Sequence, residues 1–231
     1  MKTTAFSTHS ESASLEALSR DPDFASLIVR HGPPVRELRK DPFHSLVRSI
    51  IYQQVSGKAA ASILAKYLAL FPGASAHKPP TPVMVAKMPT EALRAAGLSG
   101  QKALYILDAA KKFADGTIAP KKLAQMSNEE VVAHLVQIKG VGVWTAHMFL
   151  MSTMRRPDVL PTGDLGIQKG FQIVYTLKKL PDHKQMERLA KPWRAHASLA
   201  CWYLWRAADE AKLATPVPKI RAGRPRSSAG S

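Results

Sequence analysis

The sequence predicts an all-α protein, and three observations carry that expectation. Apolar residues recur at three- and four-residue spacing along most of the chain. Helix start signals are frequent, among them Asp41-Pro42, and Ser127 followed three residues later by Glu130. Strand signals are nearly absent, with no sustained alternation and no Asn-Gly turn.

The elements follow in order. The Ser/Thr-rich start is predicted disordered over 1–13, with the folded domain beginning at about 18. Leu15 to Val29 reads as one or two short helices. From Phe43 to Phe71 the apolar set Leu46, Ile50, Ile51, Val55, Ile63, Leu64, Tyr67, Leu68 keeps helical spacing, and Gly57 divides it in two. A Pro-rich loop, His77 to Pro82, comes next. Thr90 to Ala96 and Gln101 to Phe113 are helices. Ser127 and Glu130 form a capping box that opens a helix to Ile138. Helices are predicted from Val143 to about Thr153 and from Asp164 to about Leu177. His183 to Leu213 supplies the last two.

Between two of these patterns lies "QIKGVGVWTAHMFL", Gln137 to Leu150. Glycine disfavours helix, yet Gly140 and Gly142 flank Val141 and a helix resumes at once. Glycine adopts positive φ and admits close backbone approach. The pair therefore suits a tight hairpin whose second helix starts with unpaired N–H groups. Those groups and the helix dipole attract a phosphate oxygen, and Lys139 adds charge. An ordinary C-cap and turn is the plainer alternative. "AGLSGQKALYIL", Ala96 to Leu107, has a related pattern and reads as an ordinary interhelical turn.

Charge favours a polyanionic partner. Lys plus Arg number 33 against 17 Asp plus Glu, a net +16. The tail beyond Ala214 carries Lys219, Arg221, Arg224 and Arg226 and no acid, yet without those four the body keeps +12. Gly223-Arg224-Pro225 in the tail is similar to the core of a minor-groove AT-hook, although short basic tails are usually just solvated. The single cysteine, Cys201, excludes an internal disulfide, a Cys-based zinc site and a four-cysteine iron–sulfur cluster. The eight histidines show no His-Glu-x-x-His spacing. The polar N-terminus and the lack of a long apolar run predict a soluble, intracellular protein.

The stretch Ile138 to Ala146 resembles the hairpin of the helix–hairpin–helix DNA glycosylases. That superfamily places a Gly/Pro-rich loop and a single aspartate downstream. Here "RRPDVLPTGDLGIQKGF", Arg155 to Phe171, follows, and Asp164 lies 19 positions after Thr145. "LVRSIIYQQVSGKAA" (Leu46 to Ala60) and "KPWRAHASLACWYLW" (Lys191 to Trp205) resemble the alkylpurine branch, the 3-methyladenine DNA glycosylases. The resemblance covers about residues 18–213, with four motifs in order.

The resemblance implies two helical lobes with a cleft between them. One lobe spans about 42–156, including the hairpin at 138–146, and the other about 18–41 plus 157–213. It further implies flipping of a damaged base out of double-stranded DNA, a monomer, no membrane partner and an intracellular site with the DNA. Asp164 takes the catalytic position. Its ordinary role at that spot is an N-cap, and both roles are compatible. N-glycosidic cleavage builds positive charge on deoxyribose, which a carboxylate stabilises while orienting water. Trp144, Trp202, Met148 and Gln53 match base-pocket positions, with Met148 standing where some relatives have tyrosine. Gln54 matches the wedge that fills the vacated stack. Lys139, Gly140, Val141, Gly142 and Thr145 match the phosphate-binding hairpin. Relatives hold a monovalent cation, Na+ or K+, on backbone carbonyls matching Val136, Ile138 and Val141, and no other cofactor is implied. Trp193, Tyr203 and Trp205 read as core.

The departures narrow the type. Trp144 stands where strand-cutting members carry a lysine nucleophile, and tryptophan cannot form a Schiff base. The chain has no room for the extra β domain of some bacterial members. A compact, monofunctional hydrolase is expected. Two alternatives remain open at this point: a non-catalytic DNA-binding module, and a glycosylase for a neutral base, whether oxidised, deaminated or mismatched. The choice among 3-methyladenine, 7-methylguanine, 1-methyladenine and ethenoadenine is also open.

Overall fold

The computed structural model describes residues 9–34 and 41–214. Among the described residues every regular element is helical, as the sequence predicts. The basic tail, with Gly223-Arg224-Pro225, lies outside them.

The first helix, α1 (His9–Ser19), starts inside the stretch predicted to be disordered. Its Leu18 is fully buried and Leu15 half-buried, one helical turn apart. Ser14 Oγ meets His196 Nδ1 at 2.9 Å. The helix that follows and the far end of the chain together cover this short face. Helix α2 (Pro22–His31) follows, capped by Asp21, whose Oδ1 accepts the Asp23 N–H at 2.9 Å.

Helix α3 (Pro42–Tyr52) opens where Asp41-Pro42 predicts, with Asp41 Oδ1 accepting the His44 N–H at 2.7 Å. The loop Gln53 to Ser56 separates it from α4 (Gly57–Ala69), so the long apolar pattern divides at Gly57. After the Pro-rich loop come α5 (Pro82–Ala86), α6 (Thr90–Ala95), α7 (Gly100–Ala114) and the single turn α8 (Pro120–Leu123). Ser127 and Glu130 complete their capping box at α9 (Asn128–Leu135). That helix stops three residues before Ile138, because the Ile138 N–H tightens onto Leu135 O as the chain enters the hairpin.

Helix α10 (Val143–Phe149) runs into a π-helical turn, Leu150–Met154, instead of continuing as α-helix. Ser152 Oγ donates to Met148 O at 2.6 Å and competes for the carbonyl that a regular turn would use. Arg155, at φ +56, ends the turn. The remaining helices are α11 (Leu165–Val174), α12 (His183–Ala190) and α13 (Ala197–Ala214), with a 3-10 segment, Lys191–His196, before the last.

Two groups of helices emerge from the packing. Helices α5, α6 and α3 lie on α7, and α3 also touches α4 and α10. Helices α1, α2, α11 and the 3-10 segment all pack on α13. Gly170 permits the close crossing of α11 and α13, since a Cβ there would lie 2.4 Å from Leu204 O. Trp193 and Tyr203 are core, as expected. Trp193 sits edge-on to Phe24 at 5.3 Å, and Tyr203 Oη donates to Gly32 O at 3.0 Å. No helix among the described residues is long and apolar enough to cross a membrane.

Candidate active site

The hairpin between α9 and α10 gives its two glycines different jobs. Gly140 has φ +76, and an added Cβ would lie 2.0 Å from the Tyr105 ring, so both backbone and space require glycine. Gly142 is extended at φ −93, caps α10 without a side chain, and has nothing within 4 Å of a would-be Cβ. No internal contact explains it, and its open side faces outward. The N–H groups of the first turn of α10 have no partner within the helix.

Helix α7 buttresses the hairpin. Asp108 accepts the Lys139 N–H at 2.9 Å and pairs with Lys112 Nζ at 2.6 Å. Burial pushes this carboxyl up, but hydrogen bonds from Lys112 and the Lys139 backbone, with their charges, outweigh it and hold it below 3.8. A lowered value means that the contribution is present above pH 3.8 and fades as pH falls through the folded value. Asp108→Asn is expected to lower the melting temperature at neutral pH, and the gap to wild type is expected to close below pH 3.8. A gap independent of pH contradicts this pairing.

The loop Gln53 to Ser56 is tied from two sides. Gln53 Nε2 donates to Gly140 O at 3.0 Å and lies 3.5 Å from Thr145 Oγ1. Lys102 Nζ donates to Ile51 O at 2.8 Å and Gln53 O at 2.6 Å. Burial lowers the Lys102 amine below its ordinary value. Gln54 is then held at φ +55 and exposed in the loop. Sequence reasoning missed Lys102, Tyr105 and Asp108. Their three-residue spacing on one face of α7 was the available signal.

Beside the loop and the hairpin lies a cavity of about 770 Å³. Tyr52, Gln53 and Gln54 line it from one side, Trp144, Thr145, Met148 and Met151 from another, and Trp202 and Trp205 from α13. Arg48 and Arg155 also reach it. The Arg206 guanidinium covers the Trp202 ring at 4.9 Å. Gln53, Trp144, Met148 and Trp202, the residues matched to the base pocket, thus line one cavity. Thr145 is only 4% exposed and its side chain lies toward Gln53, so at the hairpin it offers its backbone N–H rather than its hydroxyl.

Asp164 stands behind two of these indoles. It caps α11, with Oδ1 accepting the Ile167 N–H at 2.8 Å. Trp144 Nε1 donates to Oδ2 at 2.5 Å, and Trp205 Nε1 donates to Oδ1 at 3.0 Å. The N-cap and the carboxylate bound by two cavity-lining indoles are thus one group, although Asp164 does not itself line the cavity. Trp205 corrects the sequence reading: it is a cavity residue in contact with Asp164 rather than core alone. Its place one helical turn from Trp202 was the missed signal.

Among the described residues no cluster of three or more His, Cys, Asp or Glu is able to hold a metal ion. The oxygens that Val136, Ile138 and Val141 offer at the hairpin are main-chain carbonyls, and Ile138 O already accepts the Val141 N–H at 3.0 Å.

Known proteins resemble this chain in sequence and fold. The family model described as "HhH-GPD superfamily base excision DNA repair protein" matches residues 47–195. The chain is 32% identical over 196 residues to the Schizosaccharomyces pombe protein called DNA-3-methyladenine glycosylase 1, covering 83% of each. It superposes with a TM-score of 0.71 and 30% identity on a solved S. pombe 3-methyladenine DNA glycosylase in complex with abasic DNA, covering 84% of this chain and 95% of that one. A DNA-3-methyladenine glycosidase from Bacillus halodurans gives 0.75 and 31%, covering 93% and 94%. With a family match over well more than half its length and the same all-helical fold, the chain belongs to the HhH-GPD superfamily of base excision DNA repair proteins.

Proposed function

We propose that the protein is a monofunctional DNA glycosylase that flips alkylated purines of the 3-methyladenine type out of double-stranded DNA and hydrolyses their N-glycosidic bond. The observation that supports this reading is the Asp164 carboxylate, held by the N–H groups of two indoles that line an aromatic cavity. The relatives' printed names point to the same substrate class.

The residues divide the work. The two helix groups act as lobes, about 42–156 and about 18–41 plus 157–213, and the flipped base enters between them. Trp144 and Trp202 face the base, where a cationic purine gains about 0.5–2 kcal/mol from an aromatic face. Met148 and Gln53 complete the pocket wall. Gln54, exposed in its loop, fills the vacated stack and hydrogen-bonds the orphaned partner base. Lys139 and the backbone of Gly140, Val141, Gly142 and Thr145 hold a phosphate. A monovalent cation on the carbonyls of Val136, Ile138 and Val141 fits this neutral-oxygen set, and when bound it adds positive charge beside that phosphate. The protein acts as a monomer, inside the cell and on the DNA.

At the sugar, the C1′–N bond breaks and the base leaves with the electron pair. An alkylated purine is already cationic and departs neutral, so one carboxylate suffices. Asp164 stabilises the positive charge left on the deoxyribose and orients the attacking water, whose oxygen bonds C1′ as its proton passes to the Asp164 carboxylate and on to solvent. The product strand carries an abasic site and is intact. Strand cleavage is expected only after alkali, and a break before alkali contradicts the monofunctional reading.

Lys139 supplies a measurable charge. Lys139→Ala is expected to weaken binding to all duplexes alike and to reduce the slope of log affinity against log salt by about one. An unchanged slope places the phosphate elsewhere.

A further inference from the structure

The two oxygens of Asp164 are held differently. Oδ1 takes two donors, the Ile167 N–H at 2.8 Å and Trp205 Nε1 at 3.0 Å. Both come from packed helices, with Ile167 fully buried and Trp205 half-buried against the core. Oδ2 takes Trp144 Nε1, from an indole that is 50% exposed in the first turn of α10. One oxygen is fixed by the scaffold, and the other is covered by a side chain with room to move.

Glycines in α11 make the fixed side. A Cβ on Gly166 would lie 2.8 Å from Trp205 Cδ1, 3.0 Å from Asp164 Oδ1 and 3.1 Å from Trp205 Nε1. Gly166 sits in a helix, where glycine weakens stability relative to other residues, and its backbone is not left-handed. Room for the indole is what requires glycine there. Gly170, one helical turn on, brings α13 close at Leu204. The same helix face thus carries Trp205 to Asp164.

We infer that Trp205 is a positioning residue that, with the Ile167 N–H, fixes Oδ1 of Asp164 and so presents Oδ2 to the sugar. This rests on the glycosylase reading of Asp164. The Trp144 bond to Oδ2 is the one released when a base enters against that indole.

The test is single-turnover base release from an alkylated duplex at saturating enzyme, across pH. Four proteins are compared: wild type, Trp205→Phe, a form with β-(3-benzothienyl)alanine at position 205, and Asp164→Asn. The benzothienyl group keeps the indole shape and replaces the N–H by sulfur. Loss of one donor to a charged acceptor is expected to slow release about 10- to 100-fold. The acid limb of the rate profile is expected to move to higher pH, because the charged carboxylate has lost a hydrogen bond. Affinity for an abasic-site duplex is expected to stay at the wild-type value. The benzothienyl form decides the matter even if Trp205→Phe fails to fold. Wild-type rate and pH profile in the benzothienyl form overturn the inference and leave Trp205 a packing role. A fully active Asp164→Asn overturns the catalytic reading of Asp164 and this inference with it, whereas a wild-type protein that releases no base overturns the glycosylase reading itself.

Discussion

Asp164→Asn is expected to bind alkylated duplex DNA like wild type and to release its base at least about a hundredfold more slowly. Removing one preorganised charge-stabilising group typically costs about 10²–10³ in rate. The fold is expected to survive, because asparagine is as good an N-cap as aspartate and still accepts the Ile167 N–H. Asparagine has only one oxygen, however. If it stays on Ile167 and Trp205, its amide turns toward Trp144 Nε1, donor against donor. Trp144 is therefore expected to swing out, and its fluorescence to change. A variant that melts with wild type, binds with wild-type affinity and releases base at the wild-type rate contradicts a catalytic Asp164.

Gly140→Ala has the second largest expected effect, and it acts on stability first. A side chain at φ +76 is strained, and here its first carbon would also meet the Tyr105 ring at 2.0 Å. Strain and overlap together are expected to cost about 2–4 kcal/mol. In a chain of this size that lowers the melting temperature by about 5–15 °C. Tyr105→Ala in the same protein is expected to recover the steric share, appearing as a favourable coupling in a double-mutant cycle. Gly142→Ala is the contrast. Its Cβ meets nothing within 4 Å, so the melting temperature is expected to hold while DNA affinity falls. Equal melting temperatures for Gly140→Ala and wild type contradict this assignment of the hairpin.

Much of this was legible in the sequence because caps and glycines act locally. Asp41 and Ser127 mark their helices through bonds to residues three positions on, so each signal and its consequence lie in the same turn. The hairpin and Asp164 were legible because several motifs occur in a fixed order. What was missed depends on contacts across the fold. Helix α1 has only a short apolar face, and part of what covers it is the 3-10 segment and α13 some 180 residues away, as the Ser14 to His196 contact shows. Trp205 carries the same composition signal as Trp193. Only the approach of α11 to α13, allowed by Gly166 and Gly170, sends one indole to Asp164 and the other to the core. Lys102 looks like a solvated cation until α7 is seen against the end of α3, where its ammonium gathers two carbonyls.

The most direct measurement is release of free base by the wild-type protein from duplex DNA treated with a methylating agent, followed by chromatography of the released purines. Methylated purines appearing in solution, with the strand intact until alkali, is the expected result. Salt-sensitive binding without release of any base, from methylated DNA and from duplexes carrying neutral lesions alike, contradicts it and leaves a DNA-binding module without catalysis.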